Sequence, residues 1–189
     1  MTVEQDVENL KLEVEKLKKQ VLEDPQRKEL SITTSLSRHL VDVGLSPCAS
    51  MRQNSAQSVN NATWTKITMD TKIFDFMGDS VKLDTDRIIV RRGGIYLVIG
   101  QVRFASGDAD GSRYGSVYVN GAAAEGSGEY GGYTSLSTEV IRAPALALVS
   151  VRVNDYFELW GFQNSGAALN TEVTAPRSFL SAILLSRGS

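Results

Sequence analysis

Two stretches of this chain are apolar on both faces of a β-strand, and that limits the folds open to it. In residues 95–104, IYLVIGQVRF, Tyr96, Val98, Val102 and Phe104 fall on one side, while Ile95, Leu97 and Ile99 fall on the other. In residues 156–163, Phe157 and Leu159 share one side, and Tyr156, Trp160 and Phe162 share the other. A lone β-sandwich buries one face of each sheet and wets the other. Strands that are apolar on both faces need a second cover, and the most economical one is another copy of the chain. Ile95, Leu97, Ile99, Tyr156, Trp160 and Phe162 are therefore the candidate subunit interface. The alternative is a long loop of the same chain lying over the second face.

The surrounding sequence agrees with a sandwich. From Thr63 onward, short runs of β-branched and aromatic residues alternate with Gly, Asp and Asn turns. The pattern predicts strands near 63–68, 72–76, 87–91, 95–104, 113–119, 137–142, 145–153, 156–163, 167–173 and 178–186. Asn120-Gly121 after SVYV is the strongest hairpin signal, because both residues tolerate positive φ. Strands at this spacing, with no useful helix between them, indicate a mainly β sandwich or jelly roll.

The N-terminus asks for self-association independently. Val3, Val7, Leu10, Val14, Leu17 and Val21 are spaced 4, 3, 4, 3, 4. Val7, Val14 and Val21 take position a of a heptad, and Val3, Leu10 and Leu17 take d. Asp6 at g then faces Lys11 at e of the next helix, and Glu13 faces Lys18, so a parallel in-register coil is favoured. The alternative is one amphipathic helix lying on its own domain. Pro25 ends the pattern, since proline cannot continue the hydrogen-bond ladder. The predicted organisation is a coiled coil over 1–24, a short helix and polar linker or anchoring segment over 25–62, and a β-head over 63–189. Within the middle segment, Leu36, Leu40 and Val43 sit at helical spacing, and 46–62 is rich in Ser, Asn and Gln.

Charge and composition exclude several partners. Net charge is −2, with no basic excess to hold a phosphate backbone, so nucleic acid is not expected. No apolar run is long enough to span a bilayer, and the acidic start MTVEQDVENL does not read as a secretory signal. One cysteine, Cys48, excludes an intrachain disulfide framework.

The segments RIIVRRGGIYLVIGQVRF, YVNG, LVSVRVNDYFELWGFQNSG and SFLSAILL, in that order, resemble the globular head of complement q-type proteins, whose superfamily includes tumour necrosis factor. Gly94 and Tyr96 match a Gly-aromatic step, Asn120 and Gly121 a turn, Asp155 and Leu159 the start of a Gly-Asp strand, and Phe179 the final strand. The resemblance covers about residues 63–187. It implies a ten-stranded jelly roll that assembles as a compact homotrimer. The chain departs from the pattern at Arg91-Arg92, where a proline is common, at Asn154 and Ser181, where a glycine is common, and in having no collagen repeat. These departures point to a distant relative. Val at a with Leu at d leans towards two-stranded coils, but so short a coil does not overrule a large domain interface.

Little in the sequence suggests chemistry. His39 is the only histidine, and nothing brings Cys48 to it. The stretch GSGEYGGY (126–133) lacks the Lys-Ser/Thr and helix of a phosphate loop and reads as a loop between strands. Asp108 and Asp110 are a weak calcium candidate, which the resemblance supports slightly; otherwise no cofactor is expected. Arg87, Arg91 and Arg92 read as a solvated strand edge or a dock for an acidic partner. Tyr114, Tyr130 and Tyr133, in or beside the Gly- and Ser-rich loops 106–112 and 123–136, are candidate ligand contacts.

The expected function is a non-enzymatic, trimeric structural protein of a bacteriophage virion: a head fibre, a capsid decoration protein or a tail-fibre tip. The N-terminal region would attach to a capsid or tail protein. The head would project, for attachment to a host-surface polysaccharide or receptor. A bacterial glycan- or protein-binding module of the same fold, and a glycan-cleaving enzyme, are the alternatives.

Overall fold

A computed structural model describes residues 46–106, 110–127, 130–134 and 140–187. The heptad residues Val3 to Val21, the charge pairs Asp6–Lys11 and Glu13–Lys18, His39 and Asp108 lie outside the described residues.

The described elements are all strands: β1 (Cys48–Arg52), β2 (Ser58–Val59), β3 (Thr65–Lys66), β4 (Thr71–Asp75), β5 (Val81–Lys82), β6 (Arg87–Ile89), β7 (Gly94–Phe104), β8 (Gly111–Val119), β9 (Ala122–Ala123), β10 (Tyr130–Thr134), β11 (Ile141–Val151), β12 (Tyr156–Gln163), β13 (Leu169–Asn170) and β14 (Phe179–Arg187). They form two facing sheets. One is five-stranded, in the order β11-β7-β14-β1-β4. The other is seven-stranded, with the path β10-β8-β12-β6-β5 plus β3 on β12 and β9 on β8. A small β13-β2 ladder stands apart.

The core lies between the sheets, where period-two alternation places it. Tyr96, Val98, Val102 and Phe104 of β7 point inward and are fully buried, with Ala143, Ala145 and Ala147 of β11, and Leu180, Ala182 and Leu184 of β14. Phe157 and Leu159 of β12, Val117 of β8 and Ile88 of β6 come from the other side. The Tyr96 ring lies 5.5 Å from Phe157, and its hydroxyl donates to the Arg92 carbonyl, so its one polar atom is satisfied. At Gly115 the backbone of β8 runs against β11. A Cβ there would stand 2.5 Å from the Ala143 oxygen.

The hairpin signal is realised. Asn120 and Gly121 have φ of 53° and 78° and join β8 to β9. The Asn120 side chain accepts from the Tyr156 amide and donates to Asp155. Asn154, where the resemblance has glycine, adopts φ of 74° in the turn from β11 to β12. Asparagine is the non-glycine residue that enters this region most readily, which explains the departure. Asn154→Val is expected to lower unfolding stability by about 1–2 kcal/mol, while Asn154→Gly leaves it unchanged or slightly raised. Urea midpoints of the two variants check this.

Three expectations need correction. Residues 46–62 are not a linker before the head, for the head's compact unit begins at Ser46. Strand β1 pairs with β14 on one side and β4 on the other. Its polar composition hides two buried inward residues, Ala49 and Met51. The glutamines that resemble linker residues close backbone circuits: Gln57 Nε2 donates to the Lys66 carbonyl, and its Oε1 accepts from the Thr68 amide. Secondly, the stretch 126–133 is not wholly loop, because Tyr130–Thr134 pairs with β8 as β10. Thirdly, 141–142 and 145–151 do not fall in two separate strands. Ile141–Val151 runs unbroken along β7, with Pro144 on an edge strand, the place in a sheet where proline is tolerated.

Candidate functional site

The residues assigned to one subunit interface fall on opposite faces of the sandwich. Ile95, Leu97 and Ile99 point out from the five-stranded sheet, whereas Tyr156, Trp160 and Phe162 point out from the seven-stranded one. The two faces differ in chemistry.

The five-stranded face is aliphatic. Cross-strand register lines up Leu148, Leu97, Ile183 and Cys48 in one row. The next row holds Leu146, Ile99, Ser181, Ser50 and Phe74. Directly opposed residues share a face, so these rows make an apolar surface across β11 and β7 that Ile183 extends onto β14, with Ser181 and Ser50 as a polar pair beside it. Ser50 and Ser181 satisfy each other, Oγ to Oγ, at 2.7 Å. Burial pushes the Cys48 thiol pKa above its ordinary value. Strand β11 inverts the usual pattern: Ala145 and Ala147 are 1% exposed, while Leu146 is 42% and Leu148 60% exposed. The larger side chain points to solvent at each step.

The seven-stranded face is aromatic, and it covers itself. Ring centroids run from Tyr114 to Phe162 (6.0 Å), Phe162 to Trp64 (5.4 Å), Trp64 to Tyr118 (6.2 Å) and Tyr118 to Trp160 (4.5 Å, stacked). All five rings are half-buried. Strands β8 and β12 hold four of them in register, with Tyr118 opposite Glu158 and Tyr114 opposite Phe162. Trp64 arrives from the segment leading into β3, which pairs with β12.

Charged groups sit beside the rings. Glu158 is 2% exposed. Its Oε1 lies 2.9 Å from Arg87 Nε and 3.6 Å from Lys66 Nζ, and its Oε2 accepts from Trp160 Nε1 at 3.2 Å. The hydrogen bond to Glu158 raises the Arg87 pKa above its ordinary value. The Arg87 guanidinium also lies 4.0 Å over the Tyr156 ring. Lys66 is 3.8 Å from Asp86 and donates to the Thr85 carbonyl. Arg87 is therefore part of a built cluster, not a solvated edge. Arg91 is tied to Asp79.

Of the candidate ligand residues, Tyr114 joins the aromatic face. Tyr130 and Tyr133 lie on β10, opposite Gly115 and Ser112, and their side chains are outside the described set. Asp110 is exposed at the entrance to β8. Among the described residues, no group of three His, Cys, Asp or Glu side chains stands together. Trp64, Lys66, Tyr118 and Glu158 escape sequence reading. Lys66 belongs to a two-residue strand and Trp64 immediately precedes it, and Glu158 reads as an ordinary outward acid. Leu146 and Leu148 carried a signal in ALALV, whose alternation is visible but whose inward phase is not.

No protein-family model matches the sequence, and no curated protein does. Solved structures do. The globular domain of the zebrafish complement 1qA protein has a TM-score of 0.52 at 11% identity, over 76% of this chain and 99% of that one. Murine APRIL matches at 0.52 and 14% identity, over 74% and 99%. The Eiger TNF of S. frugiperda matches at 0.50 and 12% identity, over 76% and 95%. The head thus has the complement q/TNF-type jelly-roll fold that the sequence resembles.

Proposed function

We propose that this chain is a non-enzymatic structural and attachment protein that assembles as a homotrimer through the outward face of the five-stranded sheet. The observation that carries the reading is the inverted alternation of β11. Leu148 and Leu146, with half-buried Leu97, Ile99 and Ile183 beside them, form an aliphatic surface that a lone protomer leaves in water. Burying apolar area is worth roughly 25 cal/mol per Å², so a second copy is a favourable cover. The aromatic face makes no such demand, because its rings already pack on one another. Three copies are favoured by the resemblance to heads that close as compact trimers.

The finer assignment is to a bacteriophage particle, as a head fibre, capsid decoration protein or tail-fibre tip. The N-terminal region anchors and the head projects towards a host surface. Its support is the order of elements: a heptad seam with paired g and e charges, then a jelly-roll head.

Light scattering on the full chain tests the assembly, with a mass of three times 20.6 kDa expected. A Ser46–Ser189 fragment tests whether the head suffices; a cut at residue 60 would remove β1 from the middle of its sheet. A monomeric full chain would sink the reading. Antibody labelling of purified phage tests the finer step, and particles without bound copies would end the virion assignment while leaving the trimer intact.

A further inference from the structure

We propose that one end of the five-stranded face, where Arg52, Arg103, Arg142 and Arg177 come together, binds a multiply charged oxyanion, a phosphate or sulfate group. The site lies beyond the aliphatic rows and does not depend on the assembly reading.

Strand register builds the cluster. Alternation puts Ile95, Leu97, Ile99, Gln101 and Arg103 on the outward side of β7. Two further rows follow the aliphatic ones along the sheet. The first holds Pro144, Gln101, Phe179 and Arg52. In the second, Arg142 stands directly opposite Arg103. Arg177 lies two residues before Phe179, in phase with it. The face thus passes from aliphatic to basic along its length.

Three observations point to an oxyanion. The first is charge. Lys66, Lys82, Arg87 and Arg91 are each ion-paired, whereas among the described residues none of these four arginines is. The acids nearby serve the backbone instead. Glu172 accepts from the Thr174 amide, and Asp70 accepts from the Asn54 and Ser55 amides. Like charges directly opposed across strands repel. Arg142 and Arg103 therefore stand together at a cost that a bound anion removes.

The second is a cation fixed in a buried place. Arg103 is 8% exposed. Its Nη1 donates to the Thr174 and Pro176 carbonyls, which anchors the guanidinium without neutralising it. A guanidinium offers a rigid fork of N–H donors that matches the oxygens of phosphate or sulfate.

The third is a set of donors without acceptors. The Nε atoms of Arg52, Arg103 and Arg177 and the Nε2 atom of Gln101 are buried and meet no acceptor among the described residues. Buried donors left unpaired are costly. Water supplies acceptors but leaves the charge uncompensated, whereas an oxyanion supplies both. A single carboxylate brings two oxygens and one charge to four cations. A dianion with three or four oxygens matches them better.

Titration calorimetry of the full chain with inorganic sulfate, phosphate and pyrophosphate, against sodium chloride of matched ionic strength, tests the site. Saturable binding of at least one is expected, with thermal unfolding raised beyond the chloride control. Arg142→Gln and Arg177→Gln are each expected to weaken binding about ten-fold or more, as loss of a charge-assisted hydrogen bond does. Arg152→Gln removes the same charge just past the other end of β11 and is expected to leave binding unchanged. Arg142 is exposed, so its variant carries the test if Arg177→Gln fails to fold. A heparin oligosaccharide, which carries sulfate on a polymer, is titrated in parallel. Binding tighter than that of inorganic sulfate and lost in the same variants would assign the group to a glycan; weaker or equal binding would assign it to a free ion. No saturable binding of any of the four, binding indifferent to both substitutions, or an equal loss in Arg152→Gln would each overturn the proposal. A monomeric chain that still binds through Arg142 would overturn the assembly and leave this site standing, and a trimer that binds none would do the reverse.

Discussion

Leu148→Asp is expected to reduce the solution mass of the full chain to one third while leaving the protomer folded. Leu148 is 60% exposed in the protomer, so a charged group there meets water and costs the isolated fold little. In the proposed trimer the same carboxylate enters the apolar face it shares with Leu97, its cross-strand neighbour. Burying an unpaired charge costs several kcal/mol in a relaxed protein environment, and three-fold symmetry repeats that cost in every interface. The contrasting variant is Ala147→Asp, one residue away. Ala147 is 1% exposed and faces the core, so its aspartate is expected to unfold the head instead. Circular dichroism and light scattering on both proteins separate the outcomes. A Leu148→Asp protein that keeps its full mass both as the full chain and as the Ser46–Ser189 fragment would place the head's subunit contact elsewhere, whereas full mass in the full chain alone would assign the association to the N-terminal heptads.

The pair also marks what the sequence makes legible. Alternation along β7 predicts which side of each residue is core, and Tyr96, Val98, Val102 and Phe104 are buried accordingly. The Asn120-Gly121 turn is equally local, since positive φ at two successive residues is an intrinsic preference. Phase is harder. In ALALV the two faces are both apolar, and only the partner strand and the opposite sheet decide that alanine goes inward. There β11 lies so close to β8 that a Cβ on Gly115 would overlap the Ala143 carbonyl, so small residues are required on the inner side.

Composition misleads where polar side chains do structural work. Gln53 and Gln163 are fully buried. Gln163 Nε2 donates to the Val59 and Ala167 carbonyls, while its Oε1 accepts from Ser165, so one amide holds two chain segments. A Ser-, Asn- and Gln-rich stretch of the same kind hides β1. The aromatic face is non-local in the same sense. Tyr114 and Tyr118 on β8, Trp160 and Phe162 on β12 and Trp64 before β3 come from three separate segments, and their cluster exists only once β8 and β3 flank β12.

Glu158 holds that face together, and its removal is the second large effect expected. It is 2% exposed and serves Arg87, Lys66 and Trp160 at once. Breaking a fully buried ion pair by deleting one partner costs about 3–5 kcal/mol. Here the Arg87 and Lys66 side chains keep 33% and 30% exposure, so water screens part of the loss. Glu158→Ala is expected to destabilise by about 2–3 kcal/mol after that discount. Two cations then face one another without their shared anion, and the Trp160 indole loses its acceptor. Arg87→Ala is expected to cost less, because Lys66 remains beside the carboxylate. The double variant Glu158→Ala/Arg87→Ala is expected to lose less than the sum of the single losses, since the groups are coupled. Urea denaturation gives all three values, and a shift in tryptophan emission of folded Glu158→Ala reports the altered Trp160 site. A loss below about 1 kcal/mol for Glu158→Ala would show that the cluster is screened like a surface pair. The rings would then be held together by their own packing rather than by the charge beside them.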